Sequence, residues 1–121
     1  MTALPEQALL STNCPDLNLL ARGKVRDVYE VDGDHLLFVA TDRISAFDVI
    51  MENGIPGKGI LLTQISRFWF DWLGGSVQHH FVTAELDEMP VSVQKYRDQL
   101  EGRCMLVRKL TILPVEAIVR G

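Results

Sequence analysis

Two strand-forming segments separated by a short turn constrain the fold of this chain more than any other feature. Residues 25–31 (VRDVYEV) are rich in β-branched and aromatic side chains, and residues 35–40 (HLLFVA) form an unbroken apolar run. Asp32-Gly33-Asp34 lies between them, and Gly tolerates the positive φ that tight turns need. The pattern predicts an antiparallel hairpin whose second strand is buried on both faces.

Helical periodicity is clearest over residues 60–73 (ILLTQISRFWFDWL), and Gly74-Gly75 is expected to end this helix. Its Trp-rich apolar stripe fits either a ligand platform or a core-facing surface, and core packing is the expected explanation. The stripe consists of Leu61, Ile65, Phe68, Trp69, Trp72 and Leu73. A weak pattern over residues 6–21 predicts one or two short helices, and residues 91–102 (VSVQKYRDQLEG) predict a more polar helix.

Two further strands are predicted towards the C-terminal end, at residues 104–110 (CMLVRKL) and 114–121 (PVEAIVRG). Alternation in the second places Glu116 and Arg120 on one face, roughly 13 Å apart. That alternation is still running at Gly121, which indicates part of a larger fold. The elements together predict an α+β class: an antiparallel sheet with helices packed against it.

Charge, cysteine spacing and the lack of a long apolar run argue against several kinds of partner and location. The formal net charge of -4 and the pI near 5.3 argue against binding nucleic acid or anionic membranes through bulk electrostatics. Cys14 and Cys104 show no metal-ligand spacing, so unpaired thiols in a reducing compartment are favoured, with one long-range disulfide as the alternative. A signal peptide and a bilayer-length apolar run are both missing from the sequence, so a cytoplasmic location is expected.

Four polar segments are candidates for chemistry, and each of the first two contains a lysine next to glycine. In residues 21–29 (ARGKVRDVY), Gly23 would let a phosphate approach the backbone while Lys24 and Arg26 share one face. An exposed basic strand end explains the same pattern. Residues 55–59 (IPGKG) precede a helix whose N-terminus suits an anion, but a simple connecting loop fits equally well.

The third segment is TDRISAFDVI, residues 41–50, which follows the apolar strand directly. Its two aspartates could orient hydroxyls or a metal, whereas any exit from a strand into a loop contains similar residues. The fourth is the pair Glu116 and Arg120, whose separation suits the two ends of an extended ligand or an ordinary solvated sheet face. The histidines have no partnered spacing and receive no role.

Taken in order and spacing, these segments resemble one family. They are similar to SAICAR synthetases in their fungal and related form. The segments that carry this similarity are ARGKVRDVYEV, then LLFVATDRISAFDVIMENGIPGKGILLTQIS with FWF and WL, then LVRKL and PVEAIVRG. These are phosphoribosylaminoimidazole-succinocarboxamide synthases, and the resemblance extends from about residue 20 to residue 121. It implies that residues 1–121 form an N-terminal lobe that binds ATP and substrate, kinase-like or ATP-grasp-like in fold, with the C-terminal lobe absent.

The resemblance also implies a reaction. Members of the family join L-aspartate to carboxyaminoimidazole ribonucleotide (CAIR) in purine biosynthesis, using ATP and Mg2+ and passing through an acyl phosphate. Because family members are more than twice as long, the 121-residue chain is not expected to complete this ligation alone. The alternatives are a small-molecule kinase and a non-catalytic fragment that binds nucleotide or associates with itself through an exposed apolar face.

The family motifs assign ligand contacts but no catalytic residue. ATP contacts are implied for Gly23, Lys24, Val25 and Arg26 in a nucleotide-covering loop, for Arg108, Lys109 and Leu110 at an adenine-binding hinge, and for Glu116, which is also the implied metal ligand. CAIR contacts are implied for Asp42, Arg43, Ser45, Asp48, Lys58 and Arg120, of which Arg120 matches the arginine that binds the CAIR phosphate.

Overall fold

A five-stranded antiparallel sheet forms the centre of the computed structural model, which describes residues 5–121. Its strands are β1 (Asn18–Arg22), β2 (Arg26–Glu30), β3 (His35–Ala40), β6 (Phe81–Thr83) and β7 (Cys104–Arg108), in the order β1-β2-β3-β7-β6. A separate two-stranded hairpin joins β4 (Ser45–Ala46) to β5 (Val49–Ile50). The predicted α+β class with an antiparallel sheet is therefore confirmed.

The hairpin predicted from residues 25–40 is the centre of this sheet. β2 and β3 pair antiparallel with Val28 opposite Phe38, and β7 pairs with the other edge of β3. Leu37 and Val39 are fully buried, and the remaining positions of β3 are half-buried. β3 is thus covered on both faces, as its apolar sequence predicts.

Helix α1 (Lys58–Leu73) lies on one face of the sheet, close to β3 and β7. Its buried positions are Gly59 and Thr63, and Ser66 lines a small cavity together with Met105 of β7. The Trp-rich stripe lies outside this contact: Ile65 is 54% exposed and Trp72 is 69% exposed. The prediction that the stripe packs in the core is wrong, because small side chains allow the helix to approach the sheet more closely than aromatic ones would.

The main hydrophobic core lies on the opposite face of the sheet. It consists of Cys14, Leu17, Tyr29, Leu37, Val39, Leu86, Met89, Val93, Leu100, Cys104 and Leu106. The covering elements are a 3-10 turn (Leu86–Glu88) and two short helices, α2 (Val91–Gln94) and α3 (Arg97–Leu100). The single polar helix predicted over 91–102 is divided at Tyr96, whose ring packs against the core and whose hydroxyl accepts a hydrogen bond from the Asp16 amide at 3.0 Å.

Both ends of the chain differ from the prediction. The segment expected to be helical over 6–21 contains β1, since the free edge of β2 offers backbone partners that outweigh a weak helical pattern. The strand predicted over 114–121 does not form. Within residues 5–121, β3 and β6 occupy both edges of β7, and residues 114–121 pair with neither free edge of the sheet, so they build no ladder.

Cys14 and Cys104 are both free thiols in the core. Within the described range, no helix is long and apolar enough to cross a membrane. The prediction that the chain lacks a leader peptide rests partly on residues 1–4, which lie outside that range.

Candidate functional site

One end of the sheet gathers three of the predicted polar segments. β2 begins, β3 ends and β7 begins at this end, because neighbouring strands run in opposite directions. Residues 23–25, here called the first loop, precede β2, and residues 55–59, the second loop, lead into α1 and include its first two residues. Thr41, Asp42 and Arg43 leave β3 between these two loops and contact both of them.

Arg43 and Thr41 hold the first loop through its carbonyl oxygens. The Arg43 guanidinium donates from Nη2 to the Gly23 oxygen at 3.0 Å and from Nε to the Lys24 oxygen at 3.2 Å. The Thr41 hydroxyl donates to the Val25 oxygen at 2.7 Å, and the Thr41 amide donates to the same oxygen at 3.0 Å. All three carbonyls of the loop therefore point towards the interior.

Asp42 holds the second loop through its amides. Its carboxylate accepts from the Gly59 amide at 2.8 Å and from the Gly57 amide at 3.3 Å, both at the N-terminal end of α1. Gly57 has φ 83°, a conformation that favours glycine. The anion that this helix terminus was expected to attract is thus supplied by the protein itself, in agreement with the positive end of the helix dipole.

Two buried ion pairs anchor this arrangement. Asp42 and Asp27 are fully buried, and they pair with Arg103 and Arg43 at 2.8 Å each. Burial on its own raises the pKa of Asp42, but the hydrogen bonds from Arg103, Gly59 and Leu9 outweigh it, and the pKa lies below its usual value. Since each charge has a close partner and further hydrogen bonds, burial is tolerated here.

The β4–β5 hairpin brings Asp48 to the first loop. Its two-residue turn consists of Phe47 and Asp48, with φ of 51° and 63°. Positive φ at both positions matches the type I′ turn, although a phenylalanine there is a genuine outlier. The Asp48 carboxylate forms an ion pair with the Lys24 ammonium, and both side chains are exposed.

The predicted site residues fall into two groups at this end of the sheet. Lys24, Arg26, Ser45 and Asp48 are exposed and can be reached by a ligand, and Lys58 donates from Nζ to the Arg43 carbonyl at 3.1 Å. Asp42 and Arg43 are buried, and their polar groups are engaged by the protein. Burial favours a supporting position for these two residues over direct contact with CAIR.

The other predicted residues are not brought to this end. Arg108 closes β7 at the opposite end of the sheet, four residue steps or roughly 13 Å along the strand from Cys104. Lys109 pairs there with Glu30 at 2.9 Å, and its amide donates to Asp34. Glu116 and Arg120 lie in an exposed segment without regular structure, so the structure does not unite them with the first loop.

Sequence reasoning missed three residues that support the site. Asp27, Thr41 and Arg103 are buried at 8% exposure or less, and each makes hydrogen bonds that hold a loop or another charge. One signal was available in the sequence. Asp27 lies two positions before Tyr29 in a strand whose inner face is apolar, and a carboxylate there requires a buried cationic partner.

The acidic side chains of the described residues are too dispersed to hold Mg2+ by themselves. No three His, Cys, Asp or Glu side chains among residues 5–121 converge as a metal-binding group. Mg2+ is usually held by one or two carboxylates together with substrate phosphates and water. The predicted ligand Glu116 is a single exposed carboxylate, so the described residues do not form a magnesium site by themselves.

The fold and site define an α+β domain in which buried charges hold two glycine-containing loops at one end of an antiparallel sheet. Solved structures with a similar fold include the SAICAR synthase of Saccharomyces cerevisiae complexed with SAICAR, at 51% identity and a TM-score of 0.71, covering 88% of this chain and 37% of that one. A type-2 SAICAR synthetase in complex with ADP matches at 25% identity and a TM-score of 0.59, covering 78% of this chain and 34% of that one.

The sequence gives the family directly. Residues 19–121 match the SAICAR synthetase family model, and the chain belongs to that family. The phosphoribosylaminoimidazole-succinocarboxamide synthase of Syntrophotalea carbinolica is 58% identical over 113 residues, which are 93% of this chain and 38% of that protein. The resemblance predicted from the motifs is confirmed, and the chain spans a little over a third of the length of such relatives.

Proposed function

We propose that this chain is the N-terminal, ATP- and CAIR-binding lobe of a cytoplasmic ligase that forms SAICAR from CAIR, L-aspartate and ATP. The observation that carries the proposal is the meeting of the first loop, the β4–β5 hairpin and Lys58 around the buried residues 41–43 in a member of this family. Related proteins solved with SAICAR and with ADP support it.

The first loop is the proposed phosphate-binding element for ATP. Its carbonyls face inward, away from an anion, and Lys24 adds a mobile positive charge that is 55% exposed. Gly23, Val25 and Arg26 complete the element. Arg108, Lys109 and Leu110 are the proposed adenine contacts, and a separation of roughly 13 Å between the ends of β7 suits an extended nucleotide with its base at one end and its phosphates at the other.

The proposed CAIR contacts are Ser45, Asp48 and Lys58, with Arg120 binding the CAIR phosphate. Ser45 and Asp48 belong to the exposed hairpin, which lies beside Lys24 through the Asp48 ion pair. Asp42 and Arg43 are proposed to hold the two loops in place without contacting CAIR. Positive side chains offset the repulsion between two anionic substrates and a triphosphate.

The proposed chemistry activates a carboxylate. A carboxylate is a poor acyl donor, so transfer of the ATP γ-phosphoryl group to the CAIR carboxylate supplies a leaving group. The aspartate amine then forms the C–N bond, and phosphate leaves. Mg2+ would offset charge on the phosphates, and Glu116 is its proposed protein ligand, completed by phosphate oxygens and by residues beyond this chain.

Titration of the purified chain with ADP and Mg2+ in a calorimeter tests the nucleotide site. Saturable binding is expected, and Lys24→Met should weaken it by about ten-fold, since a charge-assisted hydrogen bond contributes about 1.5–3 kcal/mol. Lys95→Met is the matched control, because Lys95 is likewise an exposed lysine paired with an aspartate, Asp16, and belongs to the segment between α2 and α3. Equal weakening by both variants would argue against a specific role for Lys24.

A second assay tests the ligase. The 121-residue chain is not expected to form SAICAR from CAIR, ATP and aspartate, and product formation by the chain alone would refute its assignment as one lobe. In a protein that contains this chain together with the remaining length of its relatives, ADP release is expected to depend on aspartate. ADP release without aspartate would favour a small-molecule kinase.

Self-association is a second candidate function, and the exposed stripe on α1 favours it. Phe68, Trp69 and Trp72 are each at least 49% exposed on adjacent turns, and contiguous apolar patches of this kind mark interaction surfaces. A second copy of the chain is the proposed partner. Light scattering after size exclusion should show a dimer whose dissociation is promoted by Trp72→Ser, whereas a monomer at all concentrations would exclude it.

A further inference from the structure

The residues that follow β3 contact the two loops in alternation. Thr41 and Arg43 bind carbonyls of the first loop, and Asp42 between them binds amides of the second loop. The side chains of Thr41 and Arg43 thus face one loop, and the side chain of Asp42, at a bend in the chain, faces the other. Three consecutive residues therefore join two loops that are thirty positions apart in sequence.

The protein itself uses four of the five N–H donors of Arg43. Besides the two carbonyls of the first loop, Arg43 donates from Nη1 to the Leu10 carbonyl at 2.7 Å and from Nη2 to the Asp27 carboxylate at 2.8 Å. Asp27 also accepts from the Thr12 hydroxyl at 2.7 Å, which fixes the carboxylate in turn. A planar guanidinium can satisfy four acceptors at fixed angles, whereas a lysine ammonium cannot.

The orientation of the first loop has a chemical consequence. With the carbonyls of Gly23, Lys24 and Val25 turned inward, an anion outside the loop meets no carbonyl oxygen. No hydrogen bond among residues 5–121 uses the amides of Lys24 or Val25. Successive loop amides without a partner in the protein can form an anion-binding concavity.

We propose that Thr41 and Arg43 are positioning residues for nucleotide binding, which set the first loop with its carbonyls inward and its amides towards the phosphates. This inference rests on the proposed function, since it assumes that the first loop binds the nucleotide. Neither residue touches the ligand. Their effect on affinity passes through the conformation of residues 23–25.

The test compares Thr41→Val, Thr41→Ser and Arg43→Lys in the purified chain. Two amides report on the loop directly, because the Gly23 amide donates to the Arg26 carbonyl at 2.8 Å and the residue 41 amide donates to Val25. Thr41→Val and Arg43→Lys should each speed hydrogen exchange at these amides by about ten-fold and weaken ADP–Mg2+ binding by a similar factor. Thr41→Ser retains the hydroxyl and should restore both values.

Thr83→Val is the matched control. Thr83 is also a buried threonine, and its hydroxyl donates to Glu88 at 2.6 Å in another part of the molecule. It should alter neither the exchange at Gly23 nor the affinity for ADP, and in Thr41→Val the Gly59 amide should keep its exchange rate because Asp42 still holds it. Weakening of ADP binding by Thr83→Val as strong as that by Thr41→Val would overturn the proposal.

The exchange readout keeps this proposal separate from the proposed function. If the wild-type chain binds no ADP, the nucleotide site fails, yet exchange at Gly23 still reports whether Thr41 and Arg43 hold the loop. Faster exchange confined to residues 23–26 and 41 would support their holding role. Unchanged exchange in both Thr41→Val and Arg43→Lys would overturn it.

Discussion

Gly59→Ala tests the close approach of α1 to the sheet. A β-carbon added at this position would lie 2.0 Å from the Ala40 carbonyl oxygen and 2.7 Å from Nη1 of Arg103. The first distance is about 1.4 Å short of the 3.4 Å at which ordinary contact begins. The Ala40 carbonyl belongs to a central strand and accepts from Arg103, so the helix must move instead.

Whether Gly59→Ala stabilises or destabilises the chain distinguishes a helix-propensity effect from a packing effect. Helix propensity alone predicts that alanine stabilises the second residue of α1 by up to about 1 kcal/mol. Packing predicts the opposite: overpacking costs about 1–3 kcal/mol, and weakening the bond from the Gly59 amide to the Asp42 carboxylate costs about 1.5–3 kcal/mol. The net expectation is a loss of about 3 kcal/mol, a large fraction of the stability of a small domain.

Urea denaturation followed by tryptophan fluorescence measures this difference. With a slope of about 2 kcal/mol per molar urea, the midpoint should fall by about 1.5 M. Gly75→Ala is the control, since a β-carbon there meets no atom within 4 Å, and it should change stability by no more than about 0.5 kcal/mol. A midpoint for Gly59→Ala equal to or above that of the wild type would refute the packing argument.

Four further outcomes are expected. The pKa of Asp42 lies below its usual value of about 3.9, so its stabilising contribution is present above that pH and is lost as the pH falls through the folded-state pKa. The difference in urea midpoint between wild type and Asp42→Asn should therefore shrink in acid. A difference that stays constant with pH would contradict the assignment. At a protein concentration where the chain is monomeric, Trp72→Ser should change the free energy of unfolding by no more than about 0.5 kcal/mol, against about 3–5 kcal/mol for a core tryptophan. Burial raises the pKa of Cys104 to about 12, so Ellman's reagent at pH 8 should leave this thiol unmodified until the chain is unfolded, and rapid labelling of the native protein would show that it is accessible. Phe47→Asn should stabilise the chain by about 1 kcal/mol in the same urea assay, because Asn tolerates positive φ better than Phe and the Phe47 ring is fully exposed. A loss of stability would indicate a packing role for the ring.

Local patterns predicted part of this structure well. The β2–β3 hairpin and most of β7 follow from β-branched and apolar runs bounded by turn residues, and α1 follows from helical periodicity. These elements depend on preferences that neighbouring residues carry with them. Residues 114–121 show the limit, since alternation describes which side chains suit a strand but does not supply the strand that pairs with them.

The sequence predicted which segments form the candidate site, but not how their side chains are arranged. The motifs identified the first loop, the TDRISAFD segment and the second loop, and they gave the family. They did not separate exposed residues from buried ones, so Asp42 and Arg43 were grouped with Ser45 and Asp48 as ligand contacts. Burial depends on which distant segments cover a side chain, and no local pattern carries that information.

The sequence by itself determined the α+β class, the positions of the main strands and of α1, and membership of the SAICAR synthetase family. Only the tertiary structure decided which face of α1 meets the sheet, because close approach at Gly59 outweighed the apolar stripe. It also decided that Asp42 caps the second loop while Arg43 holds the first. A buried charge is stable only where its partners converge, and these partners lie as far away as Leu9 and Arg103.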